Sequence, residues 1–243
     1  MEQIERILLQ NHLTFLATHR GRVQYGSNDI IYIESDRPEF TYELLGQNSK
    51  IEELKPETKA IQQLPWNKMA TTQLLSSGFQ PTISLSYMML GKNLPPWRER
   101  NDLTVEKVDC ADRMDIFSYV QSKGFNETQE SFDHWHPWLK AANDRNLKNP
   151  TQNFYVGVLN GEPVGTVLSV CDDTTCGIYA VATLSEHRKK GVSTTIMSQA
   201  IQDARARGLD IITLQVRKDS YVEDFYRHLG FQRVFTSDMF KRN

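Results

Sequence analysis

A mixed α/β fold is what this 243-residue sequence predicts, and three features predict it. Through the second half, strand-length apolar runs alternate with helical periodicity in the order β-α-α-β-β-β-α-β-α-β, which gives a mixed sheet with helices on its faces. The segment Leu94-Pro95-Pro96-Trp97-Arg98-Glu99-Arg100 has consecutive prolines that end regular structure, so it divides the chain into domains 1–96 and 97–243. The third feature is Ser185 to Arg207, whose second half is an amphipathic helix with Val192, Ile196, Ala200, Ile201 and Ala204 at helical spacing and Gly208 as its stop. Arg188, Lys189 and Lys190 sit just before that helix, where its dipole disfavours cations by a few tenths of a kcal/mol each. A bound anion would resolve that conflict.

Composition removes several function classes. With 28 basic and 30 acidic residues the surface carries no field for nucleic acid or an anionic membrane, so any polyanion site is local. The start, Met-Glu-Gln-Ile-Glu-Arg, has no basic region backed by an apolar run, and no stretch approaches the ~18 apolar residues of a membrane span. A soluble, cytoplasmic protein is expected. Cys110, Cys171 and Cys176 cannot all pair and show no metal-ligand spacing with the histidines, so reduced structural thiols and no metal are expected.

In order, residues 2 to about 17 read as a helix with Ile4, Ile7, Leu8 and Phe15 on its apolar face. Residues 22–25 and 30–34 read as strands joined by Gly26-Ser27-Asn28-Asp29, while 42–63 gives no clear pattern. A short helix over 69–77 stops at Gly78, and 79–90 alternates as a strand. Beyond the linker, 103–108 is a strand, and 109–121 a helix capped by Asp109 and stopped near Gly124. A helical region over 126–146 carries Phe132, Trp135 and Trp138, with a break expected at Pro137. Strands 154–159 and 164–170 flank the hairpin loop Asn160-Gly161-Glu162-Pro163. Strand 177–183, the amphipathic helix and the buried run 211–216 follow. A helix over 221–229 stops at Gly230, and Phe231 begins the last strand. One echo links the halves: Ser77-Gly78-Phe79-Gln80 with Met88 downstream parallels Leu229-Gly230-Phe231-Gln232 with Met239 downstream. A Gly followed by an aromatic residue is also a common helix-to-strand transition, so chance and duplication both explain it.

The run Arg188-Lys189-Lys190-Gly191-Val192-Ser193 resembles the Arg/Gln-x-x-Gly-x-Gly/Ala signature of the GCN5-related N-acetyltransferase (GNAT) superfamily. The strand approaching it, Tyr179-Ala180-Val181-Ala182-Thr183-Leu184-Ser185-Glu186-His187, resembles the family's strand at that place. So do Leu214-Gln215-Val216-Arg217-Lys218-Asp219-Ser220 and Phe225-Tyr226-Arg227-His228-Leu229-Gly230-Phe231, which resemble its next strand, helix and closing Gly-Phe. The likeness covers about residues 103–240. Ser193 stands where the family carries a second Gly or Ala, and Ser220 where it often carries Asn. Nothing before residue 100 matches the signature, so the first domain reads as accessory or as a degenerate copy.

The resemblance implies a GNAT fold for the second domain and direct transfer of an acetyl group from acetyl-CoA to an amine. Backbone N–H groups of a Gly turn entering a helix converge on one point that a diphosphate can occupy. Arg188, Lys189, Lys190, Gly191, Val192, Ser193 and Thr194, with Ser220, are the implied coenzyme A contacts. Val181, Ala182 and Thr183 would pair with the pantetheine, and a backbone N–H among them would stabilise charge building on the thioester oxygen. Tyr226 is the implied general acid that returns a proton to the departing sulfur. No base is assigned: Glu130, Asp133, His134 and Glu162 are present in the region, and water can relay the proton. His134-Trp135-His136-Pro137-Trp138 could wall the acceptor pocket, but amphipathic packing is the better reading of Trp135 and Trp138. Three function classes stay open: an N-acetyltransferase first, a CoA-binding sensor second, and an interaction module on an inactive fold third. The acceptor's identity and the choice between monomer and homodimer are not written in these motifs.

Overall fold

The computed structural model describes residues 3–69, 71–92, 94–126 and 128–242; residue 2, where the first predicted helix begins, lies outside them. In chain order the first elements are α1 (Gln3–His19), β1 (Arg22–Tyr25), β2 (Ile30–Glu34), β3 (Tyr42–Leu45), β4 (Ala60–Gln63), α2 (Thr71–Ser76) and β5 (Gln80–Leu90). Then come β6 (Leu103–Lys107), α3 (Ala111–Phe125), α4 (Gln129–Asn146), β7 (Gln152–Leu159), β8 (Glu162–Cys171) and β9 (Thr175–Thr183). The chain closes with α5 (Val192–Ala206), β10 (Ile211–Arg217), α6 (Tyr221–His228) and β11 (Phe231–Lys241). From β6 onward this is the predicted order of elements.

The chain forms two compact units, Met1–Asn93 with Leu214–Asn243, and Leu94–Thr213. In the first unit the strand order is β1-β2-β3-β4-β11-β5, with β3 and β4 parallel and the other pairs antiparallel. Ile30, Leu45, Ile61, Leu74, Phe79 and Phe240 form a buried cluster there. Along α1 the buried residues are Leu8, Leu9, Asn11, His12, Leu13, Leu16 and His19; of the predicted apolar face Leu8 is among them, while Ile4, Ile7 and Phe15 are half-buried. A polar contact anchors that face, His12 Nδ1 to the Tyr87 hydroxyl at 2.8 Å, so a histidine replaces an expected apolar position. The two segments of the sequence echo meet here: Gly78 (φ 86°) and Gly230 (φ 94°) both end helices in the left-handed region. The strands that follow them, β5 and β11, pair antiparallel from Gln80↔Lys241 to Leu90↔Phe231.

In the second unit β6, β7, β8 and β9 form an antiparallel run, and β9 pairs in parallel with the start of β10, Thr175↔Ile211 to Gly177↔Thr213. Helix α5 packs on β7, β8 and β9, while α3 packs on the same strands and on α4. Close approach needs glycine at two strand positions: a Cβ on Gly157 would stand 2.6 Å from Ile196 Cδ1, and one on Gly165 2.7 Å from Val192 Cγ1.

Three local expectations are corrected. The N-cap of α3 is Cys110, not Asp109, and it caps without a side-chain hydrogen bond. The stop expected near Gly124 is met, since α3 ends at Phe125; Gly124 lies in its last turn, where the missing Cβ lets α3 approach β9, and a Cβ there would be 2.9 Å from Ala182 Cβ. Helix α4 runs unbroken through Pro137, where loss of one intrahelical bond and ring crowding cost ~3 kcal/mol. Burial of Trp138, Leu139 and Ala142 and the Thr128 cap, whose hydroxyl accepts from Ser131 N, oppose that cost. The hairpin turn is two residues rather than four: Asn160 (φ 52°) and Gly161 (φ 85°) fit a type I′ turn, and Glu162 and Pro163 belong to β8.

Candidate active site

The expected site residues of the second unit lie on the end of β9 and the turn leading into α5. Strand β9 breaks its register with β8 between Thr166 and Leu168, so that Ala180 and Val181 together stand opposite Val167. Ala180 has φ 48°, and its carbonyl accepts a 2.9 Å bond from Thr166 Oγ1. This bulge bends the strand and re-aims Val181, Ala182 and Thr183. Within the unit the far edge of β9 is paired to β10 only from Thr175 to Gly177. Ala182 is buried, while Val181 and Thr183 are half-buried. Thr183 Oγ1 is buried and has no partner among the described residues, as does His187 Nδ1 in the turn that follows.

After a short turn at Ser185–His187 the loop passes through two left-handed residues, Lys189 (φ 59°) and Gly191 (φ 81°). Alternation of such conformations turns successive N–H groups toward one side, as in anion-binding nests. Gly191 is the N-cap of α5 and offers no side chain to the first-turn donors. Lys189 and Lys190 are exposed and form no ion pair among the described residues. Arg188 behaves differently from the sequence expectation that it faces phosphate. Its Nη2 donates to the Gly124 carbonyl at 2.9 Å and its Nε to the Thr183 carbonyl at 3.3 Å, tying loop to α3 and β9. Val192 and Thr194 are buried and Ser193 half-buried.

A latch on the other side of the loop was not legible in the motif. The Thr195 hydroxyl donates to the Gly191 carbonyl at 2.9 Å and accepts from the Arg100 N–H at 2.8 Å. Ser198 Oγ donates to Glu99 Oε1 at 2.6 Å. The prolines of the linker signalled a boundary, but nothing in its sequence says that its end is bonded to α5. Backbone packing also explains Gly191: a Cβ there would lie 2.8 Å from the Arg98 carbonyl oxygen, and its positive φ disfavours any other residue. Gly191→Ala is expected to destabilise the protein by about 1–3 kcal/mol, read as a lower urea midpoint with unchanged slope; an unchanged midpoint would mean the loop relaxes freely.

Tyr226 and Ser220 lie in the first unit on α6. Tyr226 is 7% exposed, with ring contacts to Phe225 at 5.2 Å and Phe231 at 5.7 Å between centroids. Burial pushes its phenol above the ordinary value of 10.0, so the hydroxyl stays protonated. The Ser220 hydroxyl is engaged as the N-cap of α6, accepting from Glu223 N at 3.2 Å and donating to the Arg217 carbonyl at 2.6 Å. Its neighbour Glu223 is fully buried and held at about 2 by the Arg233 guanidinium, whose Nε and Nη2 each donate at 2.8 Å.

The histidine-tryptophan segment packs rather than gathers. His136 Nδ1 lies 3.0 Å from Ser122 Oγ and its ring stacks on Phe132 at 4.7 Å, while Trp135 and Trp138 meet edge to face at 6.1 Å. Among the described residues no group of three or more His, Cys, Asp or Glu could hold a metal, and no helix is long and apolar enough to cross a membrane.

Comparison with known proteins gives concordant likenesses. Residues 116–231 match the model of the acetyltransferase (GNAT) family. An uncharacterized N-acetyltransferase of Methanocaldococcus jannaschii is 26% identical over 136 residues, which cover 53% of this chain and 58% of that protein. The chain therefore spans little more than half the length of that relative. A GCN5-related N-acetyltransferase from Kribbella flavida superposes with TM-score 0.66 at 12% identity, covering 97% of this chain and 95% of the other. A tandem GNAT protein from the clavulanic acid biosynthesis pathway superposes with TM-score 0.56 at 8% identity, covering 87% and 77%. At these identities the structural likeness is one of fold.

Proposed function

We propose, from the premise that residues 116–231 belong to the GNAT acetyltransferase family, that this chain transfers an acetyl group from acetyl-CoA to a primary amine of a small molecule or peptide. The observation that carries this reading is the loop 188–194: two left-handed residues, an N-cap with no side chain, and two exposed lysines without ion-pair partners among the described residues. A pyrophosphate meets the needs of all three, since it accepts from the first-turn N–H groups and neutralises the cations. Bound acetyl-CoA supplies the activated acyl group as a thioester. In this reading the residues 189–194 hold the pyrophosphate, and Arg188 positions the loop through its two carbonyl bonds. The edge of β9 at Val181, Ala182 and Thr183 orients the pantetheine, with a backbone N–H aimed at the carbonyl oxygen. Tyr226 holds the proton that the leaving sulfur takes, and direct attack by the amine needs no covalent enzyme intermediate. No metal is required, and a cytoplasmic location suits the donor. Domain 97–243 is assigned the chemistry, and 1–96 an accessory role as a degenerate copy; the shared helix-glycine-strand pattern around Gly78 and Gly230 supports that descent.

Burial of Tyr226 favours a second reading, a CoA-binding sensor on the same fold. Calorimetry with acetyl-CoA, followed by a thiol-release screen over amines, polyamines, aminoglycosides and peptides, separates them. Binding with release supports the enzyme; binding with no release from any acceptor class favours the sensor; no binding overturns both. Reversing Lys189 and Lys190 to Glu is expected to weaken acetyl-CoA binding by about 1 kcal/mol or more per lost charge-assisted contact. Wild-type affinity in that variant would make the stretch a solvated basic turn.

A further inference from the structure

We propose that Cys171 and Cys176 form a reversible disulfide across the β8–β9 hairpin when the protein meets a hydroperoxide, making this pair an oxidative modification site. The two residues are register partners on adjacent strands, and their sulfurs lie 2.7 Å apart. Backbone geometry favours the bond. The Cys171 N–H donates outward to the Thr151 carbonyl at 2.7 Å, and the next pair inward, Asp172 and Thr175, is joined by Asp172 N to Thr175 O at 2.9 Å. Cys171 and Cys176 therefore occupy a non-hydrogen-bonded position, where facing Cα atoms approach to about 4.5 Å. That separation lies inside the ~4.4–6.8 Å window of disulfides.

The turn holds the pair in register. Asp172 Oδ1 accepts from Thr174 N at 2.8 Å and from Thr175 N at 2.7 Å, so the connection between the strands is closed by side-chain bonds rather than left loose. A cavity of about 230 Å³, lined by Lys107, Tyr155, Ser169, Cys171, Asp203 and Arg207, reaches Cys171 and admits a molecule the size of a hydroperoxide. Lys107 in that lining is paired to Asp203 at 2.7 Å, and Arg207 is the cation that favours the charged form of the Cys171 sulfur. The neighbouring Cys176 holds the Cys171 thiol below its ordinary value, while Cys171 and burial push Cys176 up, which makes Cys171 the attacking sulfur.

The chemistry balances. The Cys171 thiolate attacks the terminal peroxide oxygen and the O–O bond breaks, forming a sulfenic acid and releasing hydroxide, or alkoxide from an organic hydroperoxide, which is protonated to water or the alcohol. Cys176 then attacks that sulfur, its proton leaves with the expelled hydroxide as water, and the S–S bond forms. Two thiols are oxidised and one peroxide is reduced. Cys110, exposed and distant in sequence, serves as the internal control.

Native protein treated with hydrogen peroxide, then denatured and titrated, is expected to lose two of its three thiols. The peptide spanning both residues should be lighter by two hydrogens, and dithiothreitol should restore it. Cys110→Ser should oxidise in the same way, and Cys176→Ser should leave a dimedone-reactive sulfenic acid on Cys171. Oxidation confined to Cys110, or an intermolecular link in place of the intrapeptide bond, would overturn the proposal. The wild-type peptide mass decides the matter even if a variant fails to fold.

Discussion

Tyr226→Phe is expected to slow acetyl transfer at least tenfold while leaving acetyl-CoA affinity close to wild type. General acids and bases typically contribute ~100-fold or more to the step they assist, and phenylalanine removes only the hydroxyl. The ring's packing against Phe225 and Phe231 is kept, so the fold should tolerate the change. Burial raises the phenol above its ordinary value, so Tyr226 stays in its proton-bearing form throughout the neutral range and adds no limb to the pH profile there. Stopped assays of thiol release beside calorimetry give turnover and affinity separately. Equal loss of both would point to a packing role, and unchanged turnover would remove Tyr226 from the chemistry.

The second large effect is on stability. Glu223 is fully buried at the first turn of α6, with both oxygens engaged by Arg233 and with Oε2 also accepting from the Asp219 N–H at 2.6 Å. Glu223→Gln removes two of Arg233's charge-assisted bonds and leaves it only Asp219 among the described residues, so the change is expected to cost about 2 kcal/mol at neutral pH. The pH dependence has a defined sign. Arg233 depresses the carboxyl from 4.5 to about 2, so its contribution is fully present above about 4.5 and is lost as pH falls through about 2. Urea unfolding at stepped pH should therefore show wild type converging on Glu223→Gln as the solution is acidified from 4.5 toward 2. Parallel curves would mean that Arg233 holds the helix equally well through Asp219, 2.7 Å away. The same helix carries Tyr226 and begins at the Ser220 cap.

Much of the C-terminal architecture was legible because its signals are local. Strand runs of the 211–216 kind, the helical spacing of Val192, Ile196, Ala200 and Ala204, and the glycine stops at Gly208 and Gly230 act within a few residues. Their positive φ values, 81° and 94°, are a backbone demand that the residue type announces. Residues 42–63 were not legible. Strands β3 and β4 are four residues each, too short for a period, and they form by pairing with β2 and β11 in the sheet. Pro137 misled for a related reason. It is a helix breaker by local rule, and it sits inside α4 because burial of the helix face outweighs a local cost of ~3 kcal/mol.

The loop that the basic run marked divides in the same way. Sequence by itself determined the resemblance to the GNAT family, the order of elements from β6 onward, and the presence of a glycine turn with three cations before a helix. Tertiary structure alone decided which cation does what: Arg188 is bonded to carbonyls of α3 and β9, while Lys189 and Lys190 face outward. It also decided that Thr195 latches the linker to Gly191, that Ser220 is used as a cap, and that Cys171 and Cys176 stand face to face. The physical reason is common to all of these. Helical spacing, turn chemistry and capping are set by neighbours along the chain, whereas a side chain's partner is set by strand register and helix packing, which bring together residues far apart in sequence.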